Sequence, residues 1–182
     1  GSLNTARTNI ANAGTQTSAL GFGGDPAPTK AFTESYNGTN WTEVNDLNTG
    51  RNTMGGSGAS NTAALCFGGT ISPAVTELWN GTNWAEVNDL NTGRLYLSGT
   101  GTTTASIAVG GEVPGGNSAA TELWNGTNWT SVNSLNTARY AGATAGIQTS
   151  ALTFGGANPP YAQTESWNGT NWTEVNDLSS AK

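Results

Sequence analysis

Every arginine in the chain falls at one register of an internal repeat: Arg7, Arg51, Arg94 and Arg139. Four glutamates, Glu34, Glu77, Glu122 and Glu165, recur at a second register. Guanidinium groups repeated about an axis could form a ring around a channel, ready for an anionic group. Alternatively, each could hold a carboxylate or loop carbonyls bidentately and lock the repeats together. Recurrence in every unit favours the structural role, because every unit needs the same joint. Other reactive chemistry is sparse. Cys66 fills the slot held by Gly21, Ala108 and Thr153 in the other units, so it reads as an inert buried filler. The chain has no histidine, which removes the ordinary Ser-His-Asp and Cys-His arrangements and the usual zinc and copper ligand sets. Asp46, Asp89 and Asp177 are followed by Leu-Asn or Leu-Ser and form no calcium-type loop. The Gly-Gly pairs lack the lysine and helix start of a phosphate loop. The expectation is a chain that is not an enzyme, with no catalytic or metal-binding residues and no cofactor.

Composition narrows the partners. Six basic residues against twelve acidic ones give a formal charge of −6. With no basic stripe or polybasic run, neither nucleic acid nor an anionic membrane surface is an expected partner. Charged residues make up only 10% of the 182, a composition that would ordinarily suggest disorder. Seven tryptophans at fixed register overrule that reading. One thiol makes no intrachain disulfide and marks no oxidising compartment. No apolar run approaches membrane-spanning length, and no signal peptide opens the chain. Gly1-Ser2 reads as a cloning remnant, and the sequence could be a fragment of something longer.

The elements that must position these residues are set by one phrase, Trp79-Asn80-Gly81-Thr82-Asn83-Trp84. It recurs from Tyr36 to Trp41, Trp124 to Trp129 and Trp167 to Trp172. Asn-Gly between two aromatics is a strong hairpin signal, since both residues tolerate positive φ and the turn twist then matches the strand twist. A second tag, Leu-Asn-Thr-Ala/Gly-Arg, begins at Leu3, Leu47, Leu90 and Leu135, with a degenerate copy at Leu178, so units repeat every 43 to 45 residues. Such a period marks a tandem array, here a single one over 3–182 with units of about 3–46, 47–89, 90–134 and 135–178.

Each unit reads as four short strands. The first is all small residues, as in Ala11-Asn12-Ala13-Gly14, suited to crowding around an axis. The second alternates large and small residues, as in Leu20-Gly21-Phe22, and closes on Gly23-Gly24. The third ends on the first aromatic of the hairpin, and the fourth opens on Trp41, Trp84, Trp129 or Trp172. Length variation is confined to loops, where indels cost little.

A Gly-Gly closing the second strand, an aromatic in the third and a Trp opening the fourth resemble the kelch repeat of β-propellers. The matching residues are Gly23-Gly24, Gly68-Gly69, Gly110-Gly111 and Gly155-Gly156, with the aromatic pairs Tyr36/Trp41, Trp79/Trp84, Trp124/Trp129 and Trp167/Trp172. The chain departs from that pattern in a shorter unit, a five-residue aromatic-to-Trp spacing and few charged loop residues. The string Asn-Gly-Thr-Asn-Trp-Thr-Glu-Val-Asn-Asp-Leu-Asn-Thr-Ala/Gly-Arg is also similar to repeats in virion structural proteins of marine bacteriophages, which implies a virion setting. The resemblance implies an all-β, kelch-like propeller of four four-stranded antiparallel blades, either a closed four-blade ring or half of an eight-blade dimer. No leftover terminal strand is available to complete a blade. Closure must therefore come from apolar contact between units one and four, or from another chain.

The expected function is a structural or protein-interaction module, plausible in a phage particle or tail fibre. The alternative is a lectin-like propeller that stacks sugars on exposed aromatics or binds them in its loops. An aromatic repeated in every blade is more often core, filling the wedge between blades. A homodimer, another self-assembly, a protein ligand or a glycan ligand are all compatible with this reading. The residues free of the repeat lie in the second-to-third-strand loops, 25–33, 70–76, 112–121 and 157–164. They hold Asp25, Lys30, Glu112 and Tyr161 and every proline, and they are the candidate binding positions.

Overall fold

The computed structural model describes residues 1–25, 30–71, 73–157, 159 and 161–181. The described residues contain no helix. Four antiparallel four-stranded sheets are arranged as a four-blade β-propeller. The first blade comprises β1 (Ala11–Thr15), β2 (Ser18–Phe22), β3 (Thr33–Tyr36) and β4 (Trp41–Val44). The second comprises β5 (Gly55–Ser60), β6 (Ala63–Phe67), β7 (Thr76–Trp79) and β8 (Trp84–Val87). The third has β9 (Ser98–Gly101), β10 (Ser106–Val109), β13 (Thr121–Trp124) and β14 (Trp129–Val132), with a small hairpin, β11 (Glu112–Val113) and β12 (Gly116–Asn117), inserted between β10 and β13. The fourth has β15 (Ala143–Ile147), β16 (Ser150–Phe154), β17 (Thr164–Trp167) and β18 (Trp172–Val175). In each blade the strands pair in chain order.

Small residues put the first strand of each blade innermost. β1 packs on β5, β5 on β9, and β9 on β15. Their glycines, Gly14, Gly58, Gly101 and Gly146, line a central polar cavity of about 280 Å³. A side chain at any of these four would run into the backbone across its own hairpin, so these positions admit nothing larger than a hydrogen. The turn between the first two strands is one residue longer in unit two, and it is absorbed as an irregularity between Ser57 and Ser60 that leaves the rest of the register intact.

The hairpins differ in detail from the two-residue turn that Asn-Gly suggests. Tyr36 pairs directly with Trp41, and four residues, Asn37 to Asn40, make the connection. Only the glycine takes positive φ, at 92–94° in all four copies. The Asn37 side chain accepts hydrogen bonds from the Thr39 and Asn40 N–H groups, both at 3.0 Å, and the other copies do the same. The asparagine is thus selected for its side-chain oxygen rather than for left-handed backbone.

The left-handed positions among non-glycine residues are elsewhere. Asn9, Thr53, Tyr96 and Ala141, each two residues after the repeated arginine, all have φ between 51 and 57°. Asparagine tolerates this region, whereas a β-branched residue is strained there. Thr53 is also buried, and its hydroxyl has no partner. Thr53→Gly is therefore expected to raise the unfolding free energy by about 1 kcal/mol, because relieved strain and a removed orphan hydroxyl outweigh the added chain entropy. Urea unfolding followed by circular dichroism checks it; a loss of stability contradicts it.

Three apolar clusters fill the spaces between consecutive blades. The first joins Leu20 and Phe22 of blade one to Ala64, Cys66, Trp79 and Trp84 of blade two. The second and third repeat this relation between blades two and three and between blades three and four. Each seam thus sets the large second-strand residues of one blade against small second-strand residues and a tryptophan pair of the next.

Candidate functional site

Each repeated arginine sits in the strap before a blade's first strand and turns its guanidinium into that blade. Nη2 donates to the glutamate of the same unit: Arg7 to Glu34 at 2.8 Å, Arg51 to Glu77 at 3.0 Å, Arg94 to Glu122 at 3.0 Å and Arg139 to Glu165 at 2.7 Å. Nη1 donates instead to loop carbonyls, for Arg94 those of Gly110 and Ala120 at 2.7 and 2.8 Å. Of the two partners expected, a carboxylate or loop carbonyls, each arginine takes both. One nitrogen takes the carboxylate and the other takes backbone. The second carboxylate oxygen accepts the N–H of Asn4, Asn48, Asn91 or Asn136 at 2.7–2.8 Å. In the last three units the same oxygen also accepts the asparagine side-chain amide. These asparagines belong to the Leu-Asn-Thr tag, whose role was not readable from the sequence.

The arginine main chain does the joining between blades. Its carbonyl accepts the N–H of the second glycine of the preceding blade: Gly24 to Arg51, Gly69 to Arg94 and Gly111 to Arg139, each at 2.9 Å. All four arginine side chains are buried to within 2%. Burial pulls the Arg94 pKa below its ordinary value, and the facing Glu122 opposes that shift. The central cavity is lined by the first strands, and no arginine lines it. The guanidinium groups are thus occupied by fixed partners and turned away from the axis.

The aromatics divide by task. The indole N–H of Trp84, Trp129 and Trp172 crosses to the preceding blade and donates to the hydroxyl of Thr33, Thr76 or Thr121 at 2.9–3.0 Å. Trp84 and Trp129 also meet Phe22 and Phe67 edge-on, with ring centroids 4.9 and 5.0 Å apart. Trp79, Trp124 and Trp167 donate instead to a loop carbonyl of their own blade. All six are buried. Trp41 at the same register is only half-buried.

No family model matches this chain, and no curated protein matches it.

Asp46, Asp89 and Asp177 each accept the N–H of the first residue of a third strand, Thr33, Thr76 or Thr164, at 3.2–3.3 Å, which is a strand cap. Among the described residues no three Cys, Asp or Glu groups converge as they would around a metal ion. Of the four candidate loop residues, Asp25 accepts hydrogen bonds from the Asn9 and Asn52 side chains, and these hold its carboxyl below the usual carboxylate range. The ammonium of Lys30 lies 5.7 Å from the centre of the Phe32 ring. Tyr161 faces the Arg139 guanidinium at 5.7 Å. Glu112 pairs with Leu95 through the backbone and opens the β11–β12 hairpin. None of the four contacts another. Residues 26–29, 72, 158 and 160, which include three of the loop prolines, lie outside the described residues.

Two surface features on the loop side were not picked out from the sequence. An apolar cavity of about 310 Å³ lies among Pro73, Gly93, Leu95, Glu112, Val113 and Pro114. Beside it Tyr96 is 38% exposed, with its ring 5.5 Å from that of Tyr140. The signal for Tyr96 was present: a bulky aromatic occupies a slot that holds Asn9, Thr53 or Ala141 in the other units.

Cys66 is fully buried, 3.3 Å from Arg51 Nη2, and desolvation pushes its thiol up to about 11 from an ordinary 9.0, against the pull of the arginine. The folded pKa lies above the unfolded one. The associated stability is therefore complete below pH 9 and is lost as the pH rises towards 11, by about 2–3 kcal/mol in all. Cys66→Ala, which copies Ala108, is expected to remove that share of the alkaline loss. Urea midpoints of both proteins between pH 8 and 11 check it; parallel profiles contradict it.

Proposed function

We propose that this chain is a non-enzymatic structural or protein-interaction propeller of a phage virion or tail fibre. The observation that carries the reading is the fate of the repeated charges. Each of the four arginines is buried against a glutamate and backbone carbonyls of its own unit, so the most regular chemistry in the sequence is used inside the blades. What remains for recognition is the loop face, with the cavity beside Glu112 and the Tyr96/Tyr140 pair. The virion setting rests on the likeness of the repeat string to marine phage structural proteins. Peptides of the repeat recovered by mass spectrometry from gradient-purified virions support it. Their recovery from infected lysate but never from particles contradicts it.

The carbohydrate-binding reading draws on the exposure of Tyr96. Six of the seven tryptophans are buried and cannot serve as sugar platforms, so a lectin here would work through the tyrosines and loops. A sugar panel titrated against intrinsic fluorescence separates the two. Saturable binding at sub-millimolar concentration that Tyr96→Ala abolishes favours the lectin, and silence across the panel favours the scaffold.

A further inference from the structure

The blade-to-blade seam has fixed parts, and it is built three times. Between blades one and two, Trp84 reaches Thr33, Gly24 reaches the Arg51 carbonyl, and Asn45 donates to the Thr82 carbonyl at 3.0 Å and the Asn83 side chain at 2.8 Å. Asn88 and Asn133 make the same pair of bonds across the next two seams. Among the described residues the fourth seam, from blade four to blade one, shows none of these bonds. Asn176, at the register of Asn45, Asn88 and Asn133, is exposed, and Trp41, at the register of Trp84, Trp129 and Trp172, is only half-buried.

The unformed seam leaves apolar surface bare. Leu20, Leu65 and Ile107 are 0% exposed on the large-residue faces of blades one to three, whereas Leu152 at the same register is 42% exposed. A cavity of about 340 Å³ opens on that face of blade four among Ala141, Ala143, Phe154, Gly155, Gly156 and Leu178. In the first two seams the corresponding space beside Gly23 is filled by Met54 and that beside Gly68 by Leu97; in the third, where that register is Gly142, Leu135 approaches Gly110 instead. Met54 and Leu97 stand three positions after the repeated arginine. At that register blade one carries Ile10, which is half-buried on the other free face with Trp41 and Leu3 around Gly21.

We infer that a second copy of this chain covers the open edge, with Ile10 and Trp41 of each copy seated on Phe154, Gly155 and Thr164 of the other, so that two chains close an eight-blade ring. The two free faces are the two halves of an interface already built three times, so the surface that fits blade four is another blade one. Joined reciprocally, two copies make two equivalent seams and leave no face bare. Eight blades fall within the range of about four to eight that propellers adopt, whereas three copies would need more. This inference concerns assembly and stands apart from the virion reading, since either can fail alone.

Light scattering across micromolar concentrations tests it. The wild type is expected at 37 kDa, twice the 18.5 kDa of one chain. Leu152→Asp, at an exposed position that does not threaten folding, is expected at the single-chain mass with an unchanged circular dichroism spectrum. Ile10→Asp, on the opposite face, is expected to do the same. A wild type that stays at 18.5 kDa, or one whose mass grows without limit as a filament, overturns the inference. So does a 37 kDa particle that neither substitution splits.

Discussion

Glu122→Ala is expected to lower the unfolding free energy by about 3–5 kcal/mol, among the largest effects of any single substitution in the chain. The carboxylate is buried to within 1% and accepts from Arg94, from the Asn91 main chain and side chain, and from Thr92. Deleting it leaves the Arg94 guanidinium in a site that already disfavours its charge, with no carboxylate to offset burial. The orphaned cation, rather than a lost attraction, is the source of the effect. Arg94→Met combined with Glu122→Leu should therefore cost less than the two single substitutions added together, because no buried charge remains. Urea titrations of the four proteins measure the coupling. Additive losses, or a Glu122→Ala loss below about 1 kcal/mol, would show the pair to be no more than a surface-type ion pair.

Trp129→Ala is the second. It empties a ring from the middle seam and removes its edge contact with Phe67 and its hydrogen bond to Thr76. Truncating a buried tryptophan costs about 3–5 kcal/mol, and in a repeat array the loss falls on the coupling between neighbours as well as on one blade. Trp129→Phe restores most of the filled volume but leaves the hydroxyl of the fully buried Thr76 without its donor, for a smaller loss of about 1–2 kcal/mol. Trp41→Ala, at the same register on the free face, should cost least in the isolated chain. Thermal unfolding of the three proteins gives the order. If Trp41→Ala is as damaging as Trp129→Ala in a single chain, the fourth seam is formed without a partner.

How far the sequence could be read followed from whether a residue's role repeats. Tyr36/Trp41 and its copies announce hairpins by themselves, and the small residues of 11–14 place the first strand at the axis. Register thus exposes both strand order and the wedge. The Asn4, Asn48, Asn91 and Asn136 contacts stayed hidden because their partner glutamates lie about thirty residues away, across two turns of chain that periodicity does not fold. The β11–β12 hairpin stayed hidden because it occurs once, outside the repeat, although Pro114-Gly115-Gly116 carries turn residues and Gly115 and Gly116 both take positive φ. The Asn-Gly turn was found, but for a different reason than its backbone preference, since Asn37 works through its side chain. The candidate loop residues fared differently again. Asp25 is odd in register and so is its partner Asn52, which stands where the other units carry Thr8, Leu95 and Tyr140, whereas the odd Tyr161 faces Arg139 of the repeated frame. A residue outside the repeat can still be held by it.

Dry, hydrogen-bonded seams between equivalent blades hold the molecule together, and indole hydrogen exchange reads them one by one. In a ¹⁵N-labelled chain, the indole hydrogens of Trp79, Trp84, Trp124, Trp129, Trp167 and Trp172 are expected to exchange slowly, with Trp41 joining them only where a second chain covers it. If the indoles of Trp84, Trp129 and Trp172 exchange as fast as free indole, water enters the spaces between the blades and the seams described above do not hold the molecule together.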